Sequence, residues 1–319
     1  MKNIRDLKIS AVIACYKDEQ AIPLMHERLT SVFNKIGCMY EIIFVNDGSP
    51  DNSEKILKDI CKNDSNTIAI IHSRNFNSQN SFSSGMIHAT GDAVVLLDGD
   101  LQDPPELIEK FVEKWMEGYD VVYGERVNRK ESLIMNLSYK IFYRIFDKLS
   151  YVKIPLNAGD FSLMDREVVN AINSLKETDR FIRGMRAWVG FKQIGVPYTR
   201  PERKFGVSTN NLFKNIRWAK KGIFSFSHLP LEIMSFVSYF VFLLSCISII
   251  IYIGSYFVKE EVPEGITTLI VLVLFLGSMQ LLSLSILSEY IAKILDETKK
   301  RPTSIIKKII NKKKNNDSV

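Results

Sequence analysis

The run ATGDAVVLLDGDLQDPPELI, residues 89–108, decides how this chain is read. Asp92–Leu97 is a short, strongly apolar stretch, the pattern of a buried strand. It ends in Asp98-Gly99-Asp100-Leu101-Gln102-Asp103. Pro104-Pro105-Glu106 then makes a good first helical turn, so a helix is expected over Pro104–Glu117. In an extended chain, carboxylates two positions apart point the same way, so Asp98 and Asp100 can share one divalent cation. Mg²⁺ and Mn²⁺ take oxygen ligands and commonly bind substrate phosphates as well. A lone Asp-x-Asp reads more simply as a solvated turn. A second turn of the same kind, Asn46-Asp47-Gly48-Ser49 after EIIFV, shifts the balance toward a site.

Working outward, apolar runs alternate with helical patterns. Strands are expected at Lys8–Cys15, Tyr40–Val45, Thr67–His72, Asp92–Leu97 and Asp120–Tyr123. Helices are expected at Glu19–Ile36, Asp51–Lys62, Ser78–Ala89 and Pro104–Glu117. Such alternation predicts an α/β fold with a mostly parallel sheet covered by helices on both faces. Ligands in such folds sit at the carboxyl ends of the strands, where both acidic turns fall.

The 319 residues are 46% hydrophobic and 11% aromatic, too rich in apolar groups for a disordered chain. Cys15, Cys38, Cys61 and Cys246 are scattered, so neither a disulfide framework nor a Cys-based metal site is indicated. They read as buried thiols of a reducing compartment. No GxGxxG follows the first strand, and GxxxxGK[ST], GxSxG and HExxH are absent.

The average mean hydropathy conceals a partition. Residues 233–258 and 266–288 carry no charged side chain, and each exceeds the ~20 residues that span a bilayer. The expected organisation is a domain over 1–210, an amphipathic juxtamembrane helix over 211–230, two membrane helices within 231–292, and a basic tail over 293–319. In the juxtamembrane segment Leu212, Ile216, Ala219, Ile223 and Phe226 recur at helical spacing, with Lys214, Arg217 and Lys221 on another face, suited to lying among lipid headgroups. The start of the chain turns polar after one short apolar run and reads as a strand, not a signal peptide. Residues 293–319 hold nine Lys/Arg and three Asp/Glu, equal to the whole net charge of +6. Beside a membrane span this reads as attraction to anionic lipid; no nucleic-acid partner is expected. Cationic flanks stay cytoplasmic, so the expected topology is multi-pass with both termini and the large domain cytoplasmic.

Strand-DGS, RNF (74–76), the 89–108 run, GYDVVYGER (118–126), GDFSLMDREVV (159–169) and FIRGMRAWVGF (181–191), followed by two spans, closely resemble the family-two inverting glycosyltransferases of the polyprenyl-phosphate type. Dolichol-phosphate mannose synthase and the bactoprenol glucosyltransferases belong to that group. The resemblance implies a nucleotide-diphospho-sugar transferase (GT-A) fold with a two-helix transmembrane hairpin, in a bacterial cytoplasmic membrane. It implies that Ala14, Cys15, Tyr16 and Asp47 hold the base and ribose. Asp98 and Asp100 would flank the diphosphate and bind Mg²⁺ or Mn²⁺, with Asp100 the main ligand. Gln102 would lie near the metal and acceptor phosphate, and Asp160 near the sugar. Arg126, with Arg129 or Lys130 and Arg203, would receive phosphate charge. Arg200 and Arg203 flank Pro201 in a loop where a lipid headgroup would arrive, and Trp188 is expected in the core. Where many relatives carry Gly and then Lys after RNF, this chain has Asn77-Ser78-Gln79-Asn80.

The implied reaction transfers one sugar, with inversion, from a nucleotide diphosphate sugar (UDP favoured) to polyprenyl (undecaprenyl) phosphate. A phosphate acceptor is already anionic and needs no base. Were the acceptor a lipid-linked saccharide, a carboxylate base would be required, and Asp160 is the candidate. A non-catalytic nucleotide-sugar-binding scaffold is a third reading, and a homo-oligomer stays open.

Overall fold

The computed structural model describes residues 3–127, 155, 158–201, 229–258 and 265–311. Contacts divide the chain into two units. One holds the described residues up to Pro201 and those from Lys300 onward; the other holds residues 229–299.

The first unit is an α/β domain on one eight-stranded sheet. Its elements in chain order are β1 (Lys8–Cys15), α1 (Ala21–Ile36), β2 (Met39–Asn46), α2 (Ser53–Asn63), β3 (Thr67–His72), α3 (Ser78–His88), β4 (Ala93–Asp98), α4 (Leu107–Met116), β5 (Val121–Arg126), β6 (Ala158–Asp165), α5 (Arg166–Ser174), α6 (Ile182–Trp188), β7 (Gln193–Tyr198) and, at the far end of the chain, β8 (Ile306–Ile310). The strand order is β7-β5-β6-β4-β1-β2-β3-β8. β1 pairs in parallel with β2 and β4, and β2 with β3. β6 runs antiparallel between β4 and β5, and β8 antiparallel along β3.

The strand sequences explain the layering. Val12, Ile13, Ile42–Val45 and Val94–Leu97 are fully buried on both strand faces, because helices cover both sides of a parallel sheet. Ile22, Met25, Leu29, Val32 and Phe33 give α1 one apolar face at helical spacing, buried against that sheet. α1 stops at Gly37, whose φ of 75° caps the helix in the left-handed region. The aromatic cluster Phe111–Phe161–Tyr198, one pair tilted and the other edge-to-face with centroids 4.8 and 5.9 Å apart, ties α4, β6 and β7 together. Truncating Phe161 at its centre would cost about 3–5 kcal/mol.

The expected elements are found with boundaries shifted by a few residues. β5 continues to Arg126, and α4 starts at Leu107, after the Pro-Pro-Glu segment has turned. Reading 293–319 as a single basic tail needs amendment. The second apolar helix runs on to Thr298, and Ile306–Ile310 forms the edge strand of the sheet. Trp188 is half exposed rather than in the core, because α6 ends at it.

The second unit contains α7 (Leu229–Val258) and α8 (Ile266–Thr298). Both are long and apolar enough to cross a membrane by length and composition. The amphipathic segment expected at 211–228 lies outside the described residues.

Candidate active site

The site is assembled where β1, β2 and β4 end together. In register, Cys15 faces Asn46 and Ala14 faces Asp98. The Asp47 N–H donates to Cys15 O at 3.0 Å, and the Gly99 N–H to Ala14 O at 2.9 Å. Both acidic turns are thus stitched to the end of β1. Two glycines are obligatory here. Gly48 has φ +63°, and a Cβ on it would come within 2.4 Å of the Arg74 backbone; a Cβ on Gly99 would come within 2.9 Å of Ala14 O. Three residues other than glycine also have positive φ at this end of the sheet: Lys17 (61°), Asn77 (74°) and Leu101 (62°). Such strain collects at sites where the backbone is over-determined by its surroundings. Asparagine is among the residues that tolerate this conformation.

Carboxylates converge on this floor. Enclosure in the cleft, reinforced by Asp103, Asp100 and Asp160, pushes the Asp98 carboxyl up to about 8, with Arg200 pulling the other way. Burial also raises Asp103, against the opposing charges of Arg126 and Arg200. Arg200 reaches across: its Nη2 is 3.8 Å from Asp98 Oδ2 and from Asp100 Oδ2, and its Nε is 3.9 Å from Asp103 Oδ1. Arg126 Nη2 lies 4.0 Å from Asp103 Oδ1, while its Nε donates to Tyr198 Oη at 3.3 Å. Burial works against the Arg126 charge, but Asp103 more than offsets it, and the group stays protonated. Gln102 is held by its own N–H, which donates to Asp100 Oδ1 at 3.0 Å, and by its side chain, which donates to Pro201 O at 3.3 Å.

A second pocket of polar groups surrounds Asp160 on β6. Gln79 Nε2 donates to Asp160 Oδ2 at 2.9 Å, and Gln79 Oε1 accepts from the Ile182 N–H at 2.7 Å. Arg183 Nη2 is 3.5 Å from the same carboxylate oxygen. Asp160 Oδ1 is buried with no hydrogen-bond partner among the described residues. Arg186 is fully buried behind it, and burial lowers its guanidinium to about 10, with Asp160 opposing.

Of the residues expected at the site, Ala14, Tyr16, Asp47, Asp98, Asp100, Gln102, Arg126 and Asp160 are all in this unit. Tyr16 is partly exposed beside Ala14, and its N–H donates to Asp18 Oδ2 at 2.9 Å. Arg129, Lys130 and Arg203 lie outside the described residues. Sequence reasoning gave no site role to Asp103, Tyr198, Gln79 or Arg183, and placed Arg200 only near a lipid headgroup. Asp103 sat in the deciding run. The others carried no local signal, because their partners are distant in sequence.

A sheet of this order, with acidic turns at the ends of β2 and β4 and arginines facing the second of them, defines a GT-A-like glycosyltransferase fold. The chain belongs to Glycosyl transferase family 2, whose profile matches residues 10–172. It is 41% identical over 303 residues to an uncharacterized glycosyltransferase of Synechocystis sp., covering 94% of this chain and 95% of that protein. It is 39% identical over 305 residues to an uncharacterized glycosyltransferase of Bacillus subtilis, covering 95% and 94%. It is also 37% identical over 307 residues to the bactoprenol glucosyl transferase of Shigella phage SfX, covering 94% and 99%.

Proposed function

We propose that the protein transfers one sugar, with inversion, from a nucleotide diphosphate sugar to polyprenyl phosphate at the cytoplasmic face of a bacterial membrane. The observation that carries the reading is the concentration of carboxylates and arginines at one strand-end floor, in a chain similar over nearly its whole length to a bactoprenol glucosyl transferase. A UDP-sugar is the favoured donor.

Asp47 and the Ala14–Tyr16 turn receive the base and ribose. Asp98 and Asp100 lie where a departing diphosphate would build up charge. The donor set fits a hard divalent cation because it is all oxygen. Among the described residues no three His, Cys, Asp or Glu side chains form a closed cage. Two carboxylates with substrate phosphates completing the shell is a common Mg²⁺ arrangement. Mg²⁺ or Mn²⁺ held by Asp98 and Asp100 would neutralise charge on the leaving diphosphate.

Arg126 and Arg200 supply forked donors for phosphate oxygens. Arg129, Lys130 and Arg203 are proposed to add to that charge. Attack by an acceptor phosphate needs no deprotonation, so Asp160 is assigned to the sugar. Its Oδ1 takes a sugar hydroxyl while Gln79 and Arg183 hold Oδ2. The two apolar helices keep the enzyme with an acceptor that stays in the bilayer, and the charge of their flanks supports a multi-pass topology with cytoplasmic termini.

The test is a radiolabelled transfer assay. Membranes bearing the protein are given Mn²⁺ and UDP-, GDP- or TDP-sugars, with and without undecaprenyl phosphate. The expected product is lipid label that depends on the added phosphate and is released by mild acid. Label that forms only on a lipid-linked saccharide and survives mild acid would make Asp160 a base and overturn the phosphate acceptor. Equal nucleotide-sugar consumption by wild type and Asp100→Ala would favour a scaffold.

A further inference from the structure

His72 is a fully buried histidine at the end of β3, outside the machinery described above. Its Nδ1 is 2.8 Å from Asp47 Oδ1, and its Nε2 is 2.8 Å from Ser84 Oγ on α3. Ser84 Oγ is in turn 2.7 Å from Ser304 Oγ, 220 positions further along the chain. Asp47 Oδ1 also accepts the Phe76 N–H at 2.8 Å. Asp47 Oδ2 is buried and has no hydrogen-bond partner among the described residues.

For a neutral imidazole, hydrogen-bonding chemistry fixes the direction of this chain. A carboxylate only accepts, so His72 Nδ1 carries a hydrogen. In the neutral ring Nε2 is then an acceptor, and Ser84 donates to it. The single Ser84 hydrogen is thereby used, so Ser304 donates to Ser84. The hydrogen bonds run one way, from Ser304 through Ser84 and His72 to Asp47. The Phe76 ring stands edge-on to His72, with centroids 5.7 Å apart at 89°, and fixes the imidazole plane.

Ser304 is itself anchored. One residue on, Ile305 O accepts the Ser73 N–H at 2.9 Å, and β8 then pairs along β3. Lys308 Nζ is 2.5 Å from Glu54, and the Asn311 amide donates to Asp64 O and Thr67 O.

We infer that Ser304 and His72 are positioning residues for the nucleotide. The segment that follows the second apolar helix completes a relay that orients Asp47 and leaves its buried, unpartnered Oδ2 to accept from the donor's base or ribose. The inference rests on the nucleotide-donor reading above. It makes the returning segment a working part of the donor site rather than a tail.

The experiment uses full-length protein in nanodiscs, titrated calorimetrically with UDP, GDP and TDP in the presence of Mn²⁺, followed by donor KM and kcat. Loss of one such hydrogen bond corresponds to about a three- to tenfold change in affinity. Ser304→Ala is therefore expected to weaken nucleotide binding and raise donor KM by about that factor, with kcat at saturating donor unchanged. Ser304→Thr, which keeps the hydroxyl, is expected to bind like wild type. Lys308→Ala, which breaks the neighbouring ion pair to Glu54, is expected to lower Tm without changing nucleotide affinity. Unchanged affinity in Ser304→Ala, or equal weakening in Ser304→Ala and Lys308→Ala, would overturn the relay. Failure of the wild type to bind any of the three nucleotides would overturn the donor reading itself.

Discussion

Tyr198 Oη donates a 2.7 Å hydrogen bond to Asp103 Oδ1, across 95 positions of sequence. The same oxygen accepts from Arg126 Nε. One phenol thus links the last strand of the α/β domain's first pass to the acidic turn and to the arginine proposed to hold acceptor phosphate. Burial and the Asp103 charge push the Tyr198 phenol well up, so it stays protonated and keeps donating.

Tyr198→Phe keeps the ring edge-on to Phe161 and removes only this link. Hydrogen bonds to charged groups contribute about 1.5–3 kcal/mol, so turnover is expected to fall at least tenfold. UDP affinity should stay near that of wild type. Steady-state kinetics with calorimetry separates the two; a rise in UDP Kd that matches the loss of turnover would place the defect at the donor instead.

Asp98 gives a pH prediction with a definite sign. Its carboxyl is raised from an ordinary 3.8 to about 8 in the folded protein, so the fold binds this proton more tightly than the unfolded chain does. The stability this contributes is full below about pH 4 and is lost as pH rises through about 8. Asp103, also raised, acts in the same direction. In chelator, Tm should fall from about pH 6 to about pH 8, and Mn²⁺ should reverse the fall because it favours the ionised carboxylate. A Tm in chelator that climbs over this range would contradict the assignment.

Glu41 carries the opposite sign. Burial alone would raise its carboxyl, but hydrogen bonds from Lys8, Ser10 and the Thr90 N–H more than compensate, and it lies below its ordinary 4.5. Its stabilisation is present above about pH 4.5 and disappears as pH falls through the lowered value. Glu41→Gln should cost about 1.5 kcal/mol at neutral pH, because Lys8, itself partly exposed, loses a hydrogen bond to a charged partner. The variant should also lose stability less steeply on acidification, which denaturant titrations at two pH values would show.

Gln79 holds Asp160 from one side while its carbonyl grips the start of α6. Gln79→Leu leaves the buried Asp160 Oδ2 with the 3.5 Å contact of Arg183. The expected result is a donor KM raised about tenfold for the nucleotide sugar, with UDP affinity unchanged, because the two bonds lost, to Asp160 and to the Ile182 N–H, involve the proposed sugar contact and not Asp47. Asp160→Asn should lower turnover far more than it lowers UDP affinity. Parallel losses of UDP and UDP-sugar binding would remove Asp160 from the sugar subsite.

What the sequence determined by itself was whatever a short window can encode. The apolar runs of β1, β2 and β4 are continuous because both faces are buried, and that pattern is visible without a partner. The turns Asn46–Ser49 and Asp98–Asp103 advertise themselves by composition and by glycines that no other residue could replace. The two uncharged stretches are long enough to be read by counting.

Tertiary structure decided everything that joins distant windows. Arg200 looked like one loop cation among several until the end of β7 set it 3.8 Å from Asp98 and Asp100. His72 looked like the end of a strand until folding placed Asp47 on one ring nitrogen and Ser84 on the other. The run Ile306-Lys307-Lys308-Ile309-Ile310 has no period that separates a basic tail from an edge strand. The open edge of β3 makes that choice, because unpaired backbone N–H and C=O groups there take any strand that fits. A residue's type fixes which bonds it can make; only the path of the chain fixes which partner is within 3 Å.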